Sequence, residues 1–340
     1  MTATVLATTN PNIVDWTKRH DPDGKSSKIA ELLDKQTPLL GDMVVREANQ
    51  ATGHILTSRT SLPTVTARLF NQGVAASKST TAQVTESISM YETRSEIDVA
   101  LAKLNGDSAG FRLSEARAFI NKMNQTIEDK LFNGVKAVTP ADFNGFLQRY
   151  ASTTGDTGDN VILAEPTAGA GTDFMSMVVV VWGEDTVFTI FPKGSMAGLG
   201  HMELDDDYVD DADGNKFFAH RDRWTWDIGI ALYDWRYAVR IANIDKSRLD
   251  AAIAAGTPTT SAPNLVNSLI EATHRIPNLS VGRPVIYMNR ICAKLLHFQC
   301  NLLGQYMLTT QTVEGRARTD FLGIPIRITD SLPITESELV

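Results

Sequence analysis

The chain has 340 residues, room for about two domains or for one domain carrying long extensions. It is 43% hydrophobic and 21% charged, enough apolar material for a core, and 40 acidic against 32 basic side chains give a net charge of −8. That balance argues against a general nucleic-acid binder, which shows a basic excess where it meets phosphates. The six-residue apolar run Met177 to Trp182 is too short for a spanning helix.

In chain order, the first 45 residues mix turn formers with a short helical pattern at Ile29, Leu32 and Leu33. The pattern is entered through Asp21-Pro22-Asp23-Gly24 and stopped by Pro38. Such a segment has little to bury by itself and reads as an arm that lies on another surface. The N-terminus lacks a basic region followed by an apolar stretch, so no secretory signal is expected. From about Gly53 to Glu92 the chain is rich in Thr, Ser and Val, alternates at Val65, Ala67 and Leu69, and has polar tip residues at Asn71-Gln72-Gly73 and Ser79-Thr80-Thr81. This predicts a long two-stranded excursion, which either folds back on its own subunit or needs a neighbour, because an isolated hairpin is marginal in water.

Ala116, Phe119, Ile120, Met123, Ile127 and Leu131, spaced three or four apart before Gly134, predict a helix over Leu113 to Phe132, about 30 Å long. A Gly/Thr/Asp/Ala-rich linker, 152–172, leads into strands at Val178 to Trp182 and Thr186 to Phe191 around a Gly183-Glu184-Asp185 turn. After an acidic loop, Trp224, Trp226, Ile228, Ile230 and Leu232 alternate strictly, and the parity then switches to Trp235, Tyr237, Val239 and Ile241. The switch predicts a bulge or turn near Tyr233-Asp234 that sends both aromatic sets into one core. Helices at Lys246 to Ala255, Leu265 to Thr273 and Asn289 to Leu303, with strands at Pro284 to Met288 and Ile324 to Thr329, predict a separate α/β lobe from residue 246.

Motifs for chemistry fail one by one. Gly24-Lys25-Ser26 lacks the first glycine of a phosphate loop, and Gly169-Ala170-Gly171 has no strand before it. The acidic run Asp205 to Asp213 before Gly214 misses the calcium-loop spacing and reads as a turn in a solvated hairpin, with an inter-subunit cation site as the other reading. The six histidines stand singly, and Gly194-Ser195-Met196-Ala197-Gly198 has its serine in the wrong place for a nucleophile elbow. Cys292 and Cys300 lack metal or disulfide spacing and read as reduced core thiols of a cytoplasmic protein. No enzyme, cofactor or metal is indicated. Arg59, Arg68 and Lys78, on a hairpin with no local acidic partner, are the candidate inter-subunit contacts.

Five separated segments carry a family resemblance. They are Asp21-Pro22-Asp23-Gly24-Lys25, Leu62-Pro63-Thr64-Val65 leading to Asn71-Gln72-Gly73-Val74, Phe111-Arg112-Leu113-Ser114-Glu115, Tyr233-Asp234-Trp235-Arg236-Tyr237 and Gly323-Ile324-Pro325-Ile326-Arg327. With the order arm, loop, helix, strands and lobe, the chain resembles the major capsid proteins of tailed bacteriophages with the Hong Kong 97-type fold, the short-tailed Bordetella-phage type in particular. The resemblance implies an α+β fold with an N-terminal arm (1–45), an extended loop (46–90), a peripheral domain (91–245, spine helix 113–132, strands 175–245) and an axial domain (246–340), in permuted connectivity. It implies self-assembly in the host cytoplasm, as hexamers and pentamers, into the icosahedral head of a virion around double-stranded DNA. Expected partners are scaffolding, portal and cementing proteins, with non-specific DNA contact and no membrane. Some relatives weld their shells through a lysine of the extended loop. Lys78 is the only lysine between residues 41 and 95, and no Asn and Glu partners for it are identifiable. An encapsulin-like nanocompartment shell is the alternative of the same fold, and a soluble hydrolase the more distant one.

Overall fold

The computed structural model describes residues 10–11, 13–18, 33–104, 108–165, 173–211, 214–256, 262–304, 308–313 and 316–339. The helical pattern at Ile29 and Leu32, the Asp21 to Lys25 segment, Gly24-Lys25-Ser26, Gly169-Ala170-Gly171, His20, and Ala212 and Asp213 of the acidic run lie outside the described residues. The strands are β1 (Val45–Glu47), β2 (Gly53–Ser61), β3 (Thr80–Asp98), β4 (Val161–Leu163), β5 (Phe174–Trp182), β6 (Val187–Phe191), β7 (Gly200–Asp210), β8 (Lys216–Leu232), β9 (Ala238–Asp245), β10 (Arg283–Met288), β11 (Leu308–Val313), β12 (Arg316–Phe321) and β13 (Ile324–Ile328). The helices are α1 (Ile13–Lys18), α2 (Leu39–Asp42), α3 (Val99–Ala102), α4 (Ser108–Asn133), α5 (Phe146–Arg149), α6 (Lys246–Ala254), α7 (Leu265–Arg275) and α8 (Arg290–Leu303). The fold is α+β, and its contacts divide it into two compact units.

The first unit comprises Met1–Lys35, Met90–Ile127 and Gly198–Asp227. Its spine is α4, which begins at Ser108 rather than at the expected Leu113. Leu113 is exposed, and the extra turn is fixed by contacts that apolar spacing does not reveal. Phe111 is buried with Ile97 and Ala102, and Trp16 and Leu101 pack on them. The next residue, Arg112, directs its guanidinium at Asp222 (2.9 Å) and Glu203 (2.6 Å). The residues expected to form an acidic loop, Asp205 to Asp207, instead lie in β7, which pairs antiparallel with β8. Trp224 of β8 is sandwiched between Phe119 of α4 (5.1 Å between centroids) and His201 of β7 (5.3 Å).

The second unit comprises Gln36–Ser89, Glu128–Ala197 and Ile228–Val340. Its centre is β5, buried along its whole length, antiparallel to β9 on one side and β10 on the other. The run Val178-Val179-Val180-Val181 suits a strand covered on both faces. On one face Met175, Met177, Val179 and Val181 join a core with α6, α7 and α8. Trp182 instead meets Phe146, and its indole N–H donates to Tyr287 Oη (2.8 Å). β5 and β6 touch only at Trp182 and Val187, so the Gly183-Glu184-Asp185 turn passes the chain onward without making a hairpin. β6 then pairs with β8, and β8 with β3.

Two expectations are corrected here. Trp235 and Tyr237 stand on a 3-10 turn rather than a strand, because the Asp234 carboxylate accepts from Arg236 N–H (3.0 Å) and holds a local turn. The following strand, β9, pairs with β4 and β5, so Val239 and Ile241 enter a core different from that of Trp224. In addition, β4, β5 and β9 share one core with α6 to α8. The strands of 175–245 and the helices after 246 are therefore not two separate bodies.

Candidate assembly interface

The hairpin of β2 and β3 is the part of the molecule that its own chain leaves incomplete. Gly53 to Arg59 pair in register with Ser87 to Thr81, and a bulge follows before Ser61 meets Thr80. Beyond that point no ladder forms among residues 62–79, so the expected alternation at Val65, Ala67 and Leu69 does not become a strand. Side chains substitute for the ladder. The Thr64 N–H donates to Ser77 Oγ, and that hydroxyl donates back to the Thr64 carbonyl, each over 3.1 Å. At the tip Asn71 adopts a left-handed φ of 62°, and the Gln72 N–H closes a turn on the Leu69 carbonyl.

From Thr57 to Thr85 every residue except Ser79 is exposed. Phe70 is 98% exposed, Val65 94% and Leu69 77%. Large apolar groups held this far into water on a hydrogen-bonded hairpin mark an interaction surface. Arg59, Arg68 and Lys78 are all exposed there, with no hydrogen bond or ion pair to any described residue. No acidic residue occurs between Glu47 and Glu86. The stretch 48–85 thus carries +3 in a chain of −8, and the remainder carries −11. Residues 200–227, the β7–β8 hairpin, carry nine acidic and three basic side chains.

The excursion is firmly rooted. Glu86, buried at its base, takes the Arg149 fork through both oxygens (2.7 and 2.6 Å), and Arg149 also donates to the Ile230 and Asn144 carbonyls. Such a paired, desolvated carboxylate is costly to orphan. Across the strand, His54 Nδ1 accepts from Asn49 N–H (3.1 Å), and burial with the nearby Arg46 charge holds this imidazole below its usual pKa. The sequence reading missed Glu86 and Arg149. Their one local signal is that Glu86 ends the acid-free run.

A second root lies under the segment before β1. Leu39 is fully buried, and Glu128 of α4, also fully buried, accepts from Leu39 N–H (3.2 Å) and from the Thr329 hydroxyl (2.5 Å). Burial pushes the Glu128 carboxyl up to about 7 against these bonds. Asp42 beside it receives the Arg327 fork (3.1 Å from both Nε and Nη2) and the Tyr287 hydroxyl (3.3 Å). Among the described residues no group of three or more His, Cys, Asp or Glu is spaced to hold a metal ion, and no helix is long and apolar enough to cross a membrane.

An ordered, uncovered, cationic hairpin, firmly rooted at its base, defines a subunit of a larger structural assembly, with the architecture of Hong Kong 97-type capsid proteins. Comparison with solved structures finds the bacteriophage Epsilon15 capsid protein at a TM-score of 0.78 and 28% identity, over 98% of both chains. The capsid protein of bacteriophage JBD30 shares the fold at a TM-score of 0.50 and 9% identity, over 90% of this chain and 95% of that one. A search of curated protein sequences returns no match. The family model described as major capsid protein GP7 matches residues 21–340, and the chain belongs to that family. It is a major capsid protein, a structural component of a phage virion, and neither the nanocompartment nor the hydrolase reading is needed.

Proposed function

We propose that this chain closes an icosahedral head shell around packaged double-stranded DNA, as hexamers and pentamers whose subunits lay arm and extended loop over their neighbours. The observation that carries the reading is the β2–β3 excursion, ordered and rooted by Glu86 and Arg149 yet uncovered from Thr57 to Thr85. Each loop contact is modest, and repetition around a closed shell makes the sum strong. Arg59, Arg68 and Lys78 serve as the contacts to neighbours. Lys78 stands in solvent with no carboxylate of a described residue beside it, so among the described residues the free subunit offers no desolvated site for covalent cross-linking. The arm extends to about residue 45 and the loop from 46 to 90. The peripheral part is drawn from residues 91–245 apart from β4, β5 and β9, which join 246–340 in the axial part, whose core they share. Scaffolding, portal and cementing proteins are its partners. The protein performs no catalysis, and DNA contact is non-specific, since an acidic chain releases its contents readily.

The test replaces residues 57–83 by an Asn-Gly turn, which joins the cross-strand pair Leu56 and Val84 and keeps Glu86 on Arg149. Soluble folded subunits without particles in negative-stain electron microscopy are expected. Particles of normal size from this variant refute the role of the loop.

A further inference from the structure

The outer edge of β2 is treated differently along its length. Among the described residues β2 is the last strand of its sheet and pairs with β3 alone. Near the base its outer edge is closed by the chain itself. The Ile55 N–H donates to Asn49 Oδ1 and the Ile55 carbonyl accepts from Asn49 Nδ2, both at 2.8 Å, and the Gly53 carbonyl accepts from Gln50 N–H. Gly53 and Ile55 therefore turn their backbone groups away from β3. By the two-residue period of a strand, Thr57 and Arg59 do the same, while Ser58 faces β3. Among the described residues none plays the part of Asn49 for Thr57 and Arg59, whose backbone groups by this period lie at an open, exposed edge up to the bulge that follows Arg59. An edge protected in one half and bare in the other is an edge kept for pairing.

A second edge has the opposite charge. Among the described residues β7 pairs with β8 alone, is exposed along nearly all of its 11 residues, and carries Glu203, Asp205, Asp206, Asp207 and Asp210 without a Lys or Arg. Arg221 holds the Asp205 carbonyl at the bulge after Leu204, and Glu203, Asp206, Asp207 and Asp210 face Arg112, His220, Arg221 and Lys216, so the five carboxylates outnumber the four basic groups beside them. Two β7 edges repel one another, and two β2 edges bring Arg59 against Arg59. A β2 edge with a β7 edge satisfies both strands and both charges.

Building on the shell reading above, we propose that the open edge of β2 at Thr57 and Arg59 is completed by the β7 edge of a second copy of this chain, an intermolecular strand addition. Main-chain bonds supply the register, and Arg59 against the acidic row selects β7 over other edges.

Amide hydrogen exchange on the wild-type chain, read at single residues by electron-transfer fragmentation, tests this without a mutation. In free subunits Ser58 exchanges slowly, and Thr57 and Arg59 fast. In assembled particles Thr57 and Arg59 slow by at least about tenfold, together with amides of 200–210. Thr57 and Arg59 as fast in particles as in free subunits overturn the edge pairing. Protection at both with 200–210 unchanged overturns β7 as the partner. A wild-type chain that forms no particles overturns the shell reading itself, a separate outcome.

A variant pair gives an independent check. Thr57→Pro removes only an outward N–H, which an edge strand tolerates, and is expected to leave the melting temperature of free subunits near wild type while particle yield falls at least tenfold. Arg59→Asp is expected to lower particle yield, and addition of Asp205→Lys and Asp207→Lys to restore it. Wild-type yield from Thr57→Pro, or no recovery in the combined variant, overturns the proposal.

Discussion

Glu128→Gln measures what the buried carboxyl under α2 costs. Moving the group from 4.5 to about 7 means that the folded subunit holds this proton more tightly than the unfolded chain does. Stability therefore rises as the pH falls from 7 toward 4.5, and the penalty is fully present once the carboxyl is ionised above pH 7. At 1.36 kcal/mol per pH unit the difference is about 3 kcal/mol. Desolvation is the largest cause, and bonds from Thr329, Leu39 and Leu40 oppose it, while the Asp42 charge adds to it. Glutamine keeps the volume, leaves an oxygen for the Leu39 N–H, and abolishes the charge. The variant is expected to exceed wild type by about 2 to 3 kcal/mol at pH 8 and to match it within about 1 kcal/mol at pH 5. Urea unfolding of free subunits at four pH values, followed by circular dichroism, reads the difference, in which other titrating groups cancel. Parallel pH profiles, or a variant weaker than wild type at pH 8, refute the reasoning that desolvation outweighs the hydrogen bonds.

Arg149→Met leaves Glu86 buried and unpaired at the root of the loop, and a loss of about 3 to 5 kcal/mol is expected in urea unfolding at neutral pH. Gly229→Ala places a Cβ 2.4 Å from the Ser87 carbonyl oxygen and against Ile190, so β8 and β3 must part. A destabilisation of about 1 to 3 kcal/mol, seen as a lowered melting temperature, follows. Cys292 is fully buried with its thiol pushed up to about 12, and burial also raises Cys300. Neither thiol is expected to react with a disulfide reagent at pH 8 until denaturant is added, whereas fast native labelling contradicts their burial.

What could be read ahead was local. The helix expected over Asn289 to Leu303 is α8, entered where Asn289 accepts from Ile291 N–H. The strand expected at Val178 to Trp182 is likewise found, within β5. The same periodic reasoning failed at Trp235 and Tyr237, where one Asp234 side-chain bond outweighed alternation. It was blind to Arg149 with Glu86, 63 positions apart, and to Arg240 with Glu336, 96 apart, because ion pairs between distant segments leave no period. Arg59, Arg68 and Lys78, proposed as contacts to neighbours, stand out for the converse reason. An acid-free stretch is a property of the sequence, whereas the open edge beside Arg59 follows from Asn49 and β3.

Buried polarity is spent here on holding extensions to the body. Arg240, reaching Glu336 (2.6 Å) and the Leu147 and Tyr150 carbonyls, ties the C-terminal segment to β9, and Asn243 clasps Leu339 through two bonds of 2.8 Å. Glu86 does the same for the loop and Glu128 for the segment before β1. Each root is desolvated and hydrogen-bonded, with Glu336 Oε1 the one buried oxygen among them left without a partner, while residues 57–85 beyond one root are left in water. A segment ordered this way has already lost part of its conformational freedom before it meets a partner, which lowers the cost of every later contact. Charge then separates the molecule into a cationic loop and an acidic remainder, so under the proposed edge pairing the loop of one copy is drawn to the acidic surface of another, while loop against loop repels.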